Sequence, residues 1–133
     1  MTRILFLDDN KERHDAFKKH LNDRAFKEGL QFRPVYVYTA KDAILALQYK
    51  RFDEIWLDHD LGGEIFVTRT EETGYEVALF IEKMYFDNGR EPMQSTVIIH
   101  SFNPAGARRM MQALSGKVRA IVVKPFDIKV KEK

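Results

Sequence analysis

The sequence predicts an α/β fold built on one doubly wound parallel sheet, and three observations predict it. Short β-rich runs alternate with helical patterns along the whole chain. Four of the five runs are almost continuously apolar, as suits strands covered on both faces. A strict β-α alternation joined by right-handed crossovers closes into a single parallel sheet. At 133 residues the chain is expected to be one domain spanning 1–133, long enough for a real core.

The strands are expected at 3–7 (RILFL), 33–38 (RPVYVY), 54–57 (EIWL), 96–100 (TVIIH) and 120–123 (AIVV). Residues 11–28 form the first helix, with Phe17, Leu21 and Ala25 spaced four apart. The second helix covers 40–50. Thr39 precedes it and Asp42 sits three positions later, a capping-box pattern. Thr73 and Glu76 repeat that pattern before the third helix, 74–87, whose apolar stripe is Val77, Ile81 and Met84. The fourth helix is punctuated by Asn103 as N-cap, Pro104 at its first position and Gly116 at its end. Its expected buried stripe is Ala107, Met111 and Leu114. Residues 61–73, LGGEIFVTRTEET, are a long loop of the kind that often carries function. Within it Phe66 could stack on a base and Arg69 could meet a phosphate, or the loop is an ornament.

Composition narrows the function classes. There is no cysteine, so disulfides, thiol catalysis and Cys-based zinc sites are excluded. A net charge of +2 implies no strong nucleic-acid or membrane field. No apolar run approaches the ~20 residues of a membrane span. The start, MTRILFLDDN, is too short and acidic for a signal peptide, so the cytoplasm is the expected location. Residues 126–133 are read as a short, basic, solvated tail, and no DNA-binding module is expected.

Ligands of doubly wound sheets sit at the carboxyl ends of the strands. Here the first strand ends in Asp8-Asp9, the third in Asp58-His59-Asp60, the fourth in His100-Ser101-Phe102-Asn103 and the fifth in Lys124-Pro125. Clustered carboxylates repel and require a cation or a raised pKa. An all-oxygen site suits Mg²⁺ (or Mn²⁺) with a phosphate beside it. Lys124 adds positive charge and Ser101 a hydroxyl donor. The set reads as a site for a phosphoryl group.

These motifs resemble the receiver domain of two-component response regulators over nearly the whole chain. ILFLDDN resembles the first strand with its acidic pair, and IWLDHDL the strand bearing the phosphoacceptor. VIIHS and IVVKPF resemble the hydroxyl and Lys-Pro strands. The resemblance implies a flavodoxin-like sheet of order 2-1-3-4-5. It implies Asp9 and Asp58 as direct metal ligands, Asp8 acting through water and the Asp60 carbonyl completing the set. Asp58 would be the nucleophile, Ser101 and Lys124 would bind phosphoryl oxygens, and the Lys124–Pro125 bond would be cis.

The ordinary receiver pattern fails in four places. Gly74 comes sixteen residues after Asp58, with no Met-Pro pair between them. The usual aromatic switch position holds Ile121. Too few residues follow Lys124 for a final helix, leaving an apolar flank with Val122 and Val123 that is expected to be covered in a homodimer. His59 and His100 stand beside the acceptor aspartate and the hydroxyl residue. LDHDLGG, TGYEVA and HSFNPAGA more closely resemble the cyclic-phosphate-processing receiver-like family. That resemblance implies a metal-dependent phosphoesterase opening, or a protein binding, a cyclic phosphate of a nucleotide or RNA end. Opening the ring needs a nucleophile (Asp58 or a metal-bound water), charge stabilisation and a proton, which His59 and His100 could relay. Alternation along the strand leaves His100 equally able to pack or cap if Ser101 faces the site. Asn103 is a cap first and a ligand contact second. Arg108 and Arg109 read as a solvated face. The alternatives are a response regulator phosphorylated on Asp58 by a histidine kinase, and a non-catalytic cyclic-nucleotide-binding protein.

Overall fold

The computed structural model describes residues 1–58, 74–100, 104–126 and 128. The elements run β1 (Thr2–Leu7), α1 (Lys11–Glu28), β2 (Phe32–Val37), α2 (Ala40–Tyr49), β3 (Glu54–Leu57), α3 (Gly74–Asp87), β4 (Met93–Ile99), α4 (Pro104–Leu114) and β5 (Val118–Val123). All neighbouring strands pair in parallel, in the order β2-β1-β3-β4-β5. The expected flavodoxin-like sheet is present. β4 and β5 begin earlier than their apolar runs suggest, at Met93 and Val118. The added β4 residues include polar ones, such as Ser95, whose hydroxyl is buried and donates to the Phe52 carbonyl.

Alternation gives the sheet two unlike faces. Leu5, Leu7, Ile55, Leu57, Val97 and Ile99 meet α2, α3 and α4 through Ala43, Val77, Ile81, Met110 and Leu114 in an aliphatic core. Ile4, Phe6, Trp56 and Ile98 meet Phe17 and Leu21 of α1, with Phe126 and Ile128 packed against them. Phe6 stacks on Phe17 with ring centroids 4.1 Å apart. Each such side chain contributes about 1.5–3 kcal/mol by leaving water.

The helix ends follow local chemistry. Asn10, in extended backbone, caps α1 by accepting from the Arg13 N–H at 2.9 Å. Gly29 closes that helix in the left-handed region, φ 65°. Thr39 caps α2 by accepting from the Asp42 N–H at 3.1 Å, as the sequence pattern requires. The cap assigned to Thr73, the loop 61–73 and the Asn103 cap lie outside the described residues.

Two expectations are corrected. In α4 the residue turned inward is Met110, fully buried, whereas Met111 is 41 % exposed. Both are apolar, and the packing of α4 against α3 and β5 selects the first. Among the described residues no peptide bond is cis, so Lys124–Pro125 is trans. A trans bond is the ordinary state of X-Pro, and here β5 already delivers Lys124 to the strand end without a bend. No fifth helix occurs among the described residues, and Val122 and Val123 are left 41 % and 46 % exposed on the edge strand.

Candidate metal and phosphate site

The parallel ladder assembles the site like a staircase. The Asp58 N–H donates to the Leu7 carbonyl (3.2 Å), the His100 N–H to Leu57 (2.9 Å) and the Lys124 N–H to Ile99 (3.0 Å). Each strand therefore releases its first post-strand residue one step beside its neighbour's last. That geometry sets Asp8, Asp58, His100 and Lys124 along one edge of the sheet. Their neighbours His59, Asp60, Ser101 and Asn103 lie outside the described residues.

Asp8, Asp9 and Asp58 come together, each offering a carboxylate oxygen within 4.8 Å of the others. Asp8 and Asp58 are buried and Asp9 is half-buried. Such a group is costly without positive charge. Arg13, from the first turn of α1, supplies some. Its Nε donates to Asp8 Oδ2 at 2.7 Å, and its terminal nitrogen lies 3.5 Å from both Asp9 Oδ1 and Asp58 Oδ2. The other Asp8 oxygen accepts from the Asn10 N–H at 2.8 Å. Burial opposes the Arg13 charge, but the Asp8 hydrogen bond and the charges of Asp8, Asp58 and Asp9 outweigh it, and its pKa is raised.

Two buried histidines flank this corner. His14 is fully buried and bonds the Asp8 carbonyl through Nε2 at 2.7 Å. A carbonyl only accepts, so the His14 proton sits on Nε2. Its ring stacks on Tyr38 at 4.0 Å. Burial lowers its pKa despite that bond. His100 is 1 % exposed and lies parallel to the Phe6 ring, 5.2 Å away. Its Nδ1 is 3.6 Å from Asp8 Oδ2, and neither ring nitrogen has a hydrogen-bond partner among the described residues. Burial first, then the Arg13 charge, pushes its pKa down to about 3. At neutral pH His100 is thus an uncharged imidazole packed against aromatic rings. Any proton relay through it starts from that neutral form. Lys124 extends over the Trp56 indole, its Nζ 5.3 Å from the ring centroid. Trp56 is held in turn by its Nε1–H donating to Glu54 at 3.0 Å.

Gly74 shapes the site from below. A Cβ at that position would lie 2.1 Å from the Asp58 carbonyl oxygen and 3.2 Å from Met110 Cε. Only glycine lets the start of α3 come this close to the Asp58 backbone.

Arg13, His14 and Gly74 were not assigned to the site from sequence. Arg13 did carry a signal, since it follows Asp9 by four on the first turn of a helix, where opposite charges meet.

A family model described as a cyclic-phosphate processing receiver domain matches residues 3–116. The chain belongs to that family. Its fold is also that of solved response-regulator receivers. This cyclic-phosphate processing receiver domain superposes on response regulator TrrA of Thermotoga maritima, solved with Mg²⁺ and BeF, at a TM-score of 0.63 and 20 % identity. The match covers 96 % of this chain and 90 % of that one. A Mn²⁺-bound response regulator, Rcp1, gives 0.62 and 20 %, covering 93 % and 81 %. The receiver domain of sensor histidine kinase PA1611 from Pseudomonas aeruginosa, solved with magnesium in its active-site cleft, gives 0.63 and 22 %, covering 95 % and 87 %. At these identities the likeness concerns the fold. No curated protein matches the chain significantly in sequence. Among the described residues no helix is long and apolar enough to cross a membrane.

The residues fit a hard divalent cation. Three carboxylates within reach of one another form an oxygen donor set. Buried His100, whose ring nitrogens have no hydrogen-bond partner among the described residues, lies in the same corner with its Nδ1 3.6 Å from Asp8 Oδ2.

Proposed function

We propose that this receiver-like domain, read as a single unit over 1–133 in the cytoplasm, uses a divalent cation to process or bind a cyclic phosphate of a nucleotide or RNA end. The observation that carries the reading is the cluster of Asp8, Asp9 and Asp58 in a chain of this family. Asp9 and Asp58 act as the direct ligands, with the Asp60 carbonyl beside them. Asp8 acts through water, because Asn10 and Arg13 already occupy its two oxygens. Mg²⁺ or Mn²⁺, when bound, supplies charge stabilisation to a phosphoryl oxygen. Ser101, Asn103 and Lys124 orient the phosphate. Asp58 is the nucleophile, and His59 moves the proton to the leaving alkoxide. His100, an uncharged imidazole at neutral pH, packs beside Asp8 with its Nδ1 3.6 Å from the carboxylate.

Incubation with Mg²⁺ or Mn²⁺ and a panel of cyclic mononucleotides, cyclic oligonucleotides and 2′,3′-cyclic-phosphate RNA tests this reading. Turnover lost in His59→Ala by roughly 10²–10⁴-fold supports it. A second reading, phosphorylation of Asp58 by a histidine kinase, is favoured by the fold shared with response-regulator receivers. Stoichiometric phosphorylation by acetyl phosphate without hydrolysis of any cyclic phosphate would decide for it. Tight binding of a cyclic nucleotide with neither activity would leave a sequestering protein.

A further inference from the structure

Resting on the metal reading above, we propose that Arg13 is a phosphate contact of this site, anchored at one end and exchangeable at the other. The anchor is its Nε, which donates at 2.7 Å to a fully buried Asp8 carboxylate. Asn10 fixes the far oxygen of the same carboxylate at 2.8 Å. The other end is held differently. Its terminal nitrogen lies 3.5 Å from Asp9 Oδ1 and 3.5 Å from Asp58 Oδ2, at the outer limit of a hydrogen bond. A guanidinium held through Nε keeps its two terminal nitrogens in one plane, available as a fork.

Charge gives the exchange its direction. Three carboxylates, one guanidinium and one divalent cation sum to zero, so Arg13 has no electrostatic reason to leave when a cation arrives. A cation drawn to Asp9 and Asp58 takes over the two long contacts. The Arg13 fork then faces whatever anion sits on the far side. Planar N–H pairs match phosphate oxygens bidentately, which the point charge of Lys124 cannot do. The site would thus grip a phosphoryl group between Lys124 from β5 and Arg13 from α1.

The full chain and its Arg13→Gln and Arg13→Lys variants are titrated with Mg²⁺ alone, following Trp56 fluorescence. They are then titrated with inorganic phosphate at saturating Mg²⁺ by calorimetry. For Arg13→Gln the two affinities should move in opposite directions. Mg²⁺ binds tighter, by about 3–10-fold, because a competing positive charge is gone. Phosphate binds about tenfold weaker or worse, the worth of one charge-assisted contact. Arg13→Lys should keep the Mg²⁺ affinity near wild type and recover part of the phosphate affinity. If both affinities fall together in Arg13→Gln, the residue only braces Asp8 and the proposal is overturned. Unchanged phosphate affinity, or a wild type that takes Mg²⁺ but no phosphate, also overturns it while leaving the metal reading intact. A wild type that binds no Mg²⁺ removes the metal reading itself, and this inference with it.

Discussion

His100 is an ionisable ring placed where ionisation is penalised. Its pKa, pushed down to about 3 by burial and by Arg13, lies below the ordinary value of 6.5. The unfolded chain therefore binds a proton that the folded chain refuses throughout that interval. Stability falls as pH drops from about 6.5 towards 3, by at most ~1.4 kcal/mol per pH unit from this residue. His14, also lowered by burial, acts in the same direction. Urea unfolding of the metal-free protein across that range should show the slope, and His100→Phe should flatten it. A slope unchanged in His100→Phe would mean that other groups govern the acid limit. At the same scale, saturating Mg²⁺ should raise the melting temperature, since a ligand at 100 times its Kd adds about 2.7 kcal/mol. Asp58→Asn should remove most of that gain, which a melting scan with and without Mg²⁺ measures. The carboxylates were legible in the sequence because acids directly after an apolar strand are costly without a purpose. Arg13 was not, because α1 opens with Lys11, Glu12 and Arg13, and a helix full of charges does not announce which one turns back to the sheet. The burial of His14 was equally hidden, since it depends on Tyr38 arriving from another element, whereas strand alternation had left packing open for His100, which Phe6 and Trp56 enclose.

The elements themselves were largely legible, α1 and α3 over their full observed spans, because 3.6-residue stripes, caps and apolar runs are local signals. The one-residue slip in α4 has a physical cause. Met110 and Met111 are chemically identical and only the neighbouring elements distinguish them. Met110→Ala should cost about 2–5 kcal/mol, as buried large-to-small changes do. Met111→Ala should stay within ~0.5 kcal/mol. Equal costs in denaturant unfolding would contradict the orientation of this helix. The start of α3 offers a sharper test. Gly74→Ala places a methyl 2.1 Å from the Asp58 carbonyl oxygen. Relief requires moving either the helix or the backbone that carries Asp58. A loss of about 1–3 kcal/mol is expected, together with a weakened Mg²⁺ response in Trp56 fluorescence. Full stability with a normal response would mean that α3 yields freely.

At the scale of the whole molecule, the parallel sheet followed from alternation and handedness and its strand order from the family resemblance, while the association expected from sequence is a matter of surface charge. β5 is an edge strand with Val122 and Val123 exposed. Residues 104–125 carry five basic side chains, Arg108, Arg109, Lys117, Arg119 and Lys124, and no acidic one. A homodimer through this edge would set like charges against each other. Self-association by sedimentation should therefore be weak at low salt and strengthen as salt screens the repulsion. Dimerisation that weakens with salt would place the contact elsewhere. The strand order also has a consequence in time. The corner draws Asp8 from the first strand and Lys124 from the last, yet β1 and β3 are neighbours and β5 reaches the corner only through β4. A nascent chain could pair β1 with β3 and gather its carboxylates well before the lysine emerges. The acidic half of the corner would then exist, on the ribosome or in a refolding intermediate, without its phosphate-facing lysine. Competence would come with the docking of the final strand, making this the last step of maturation.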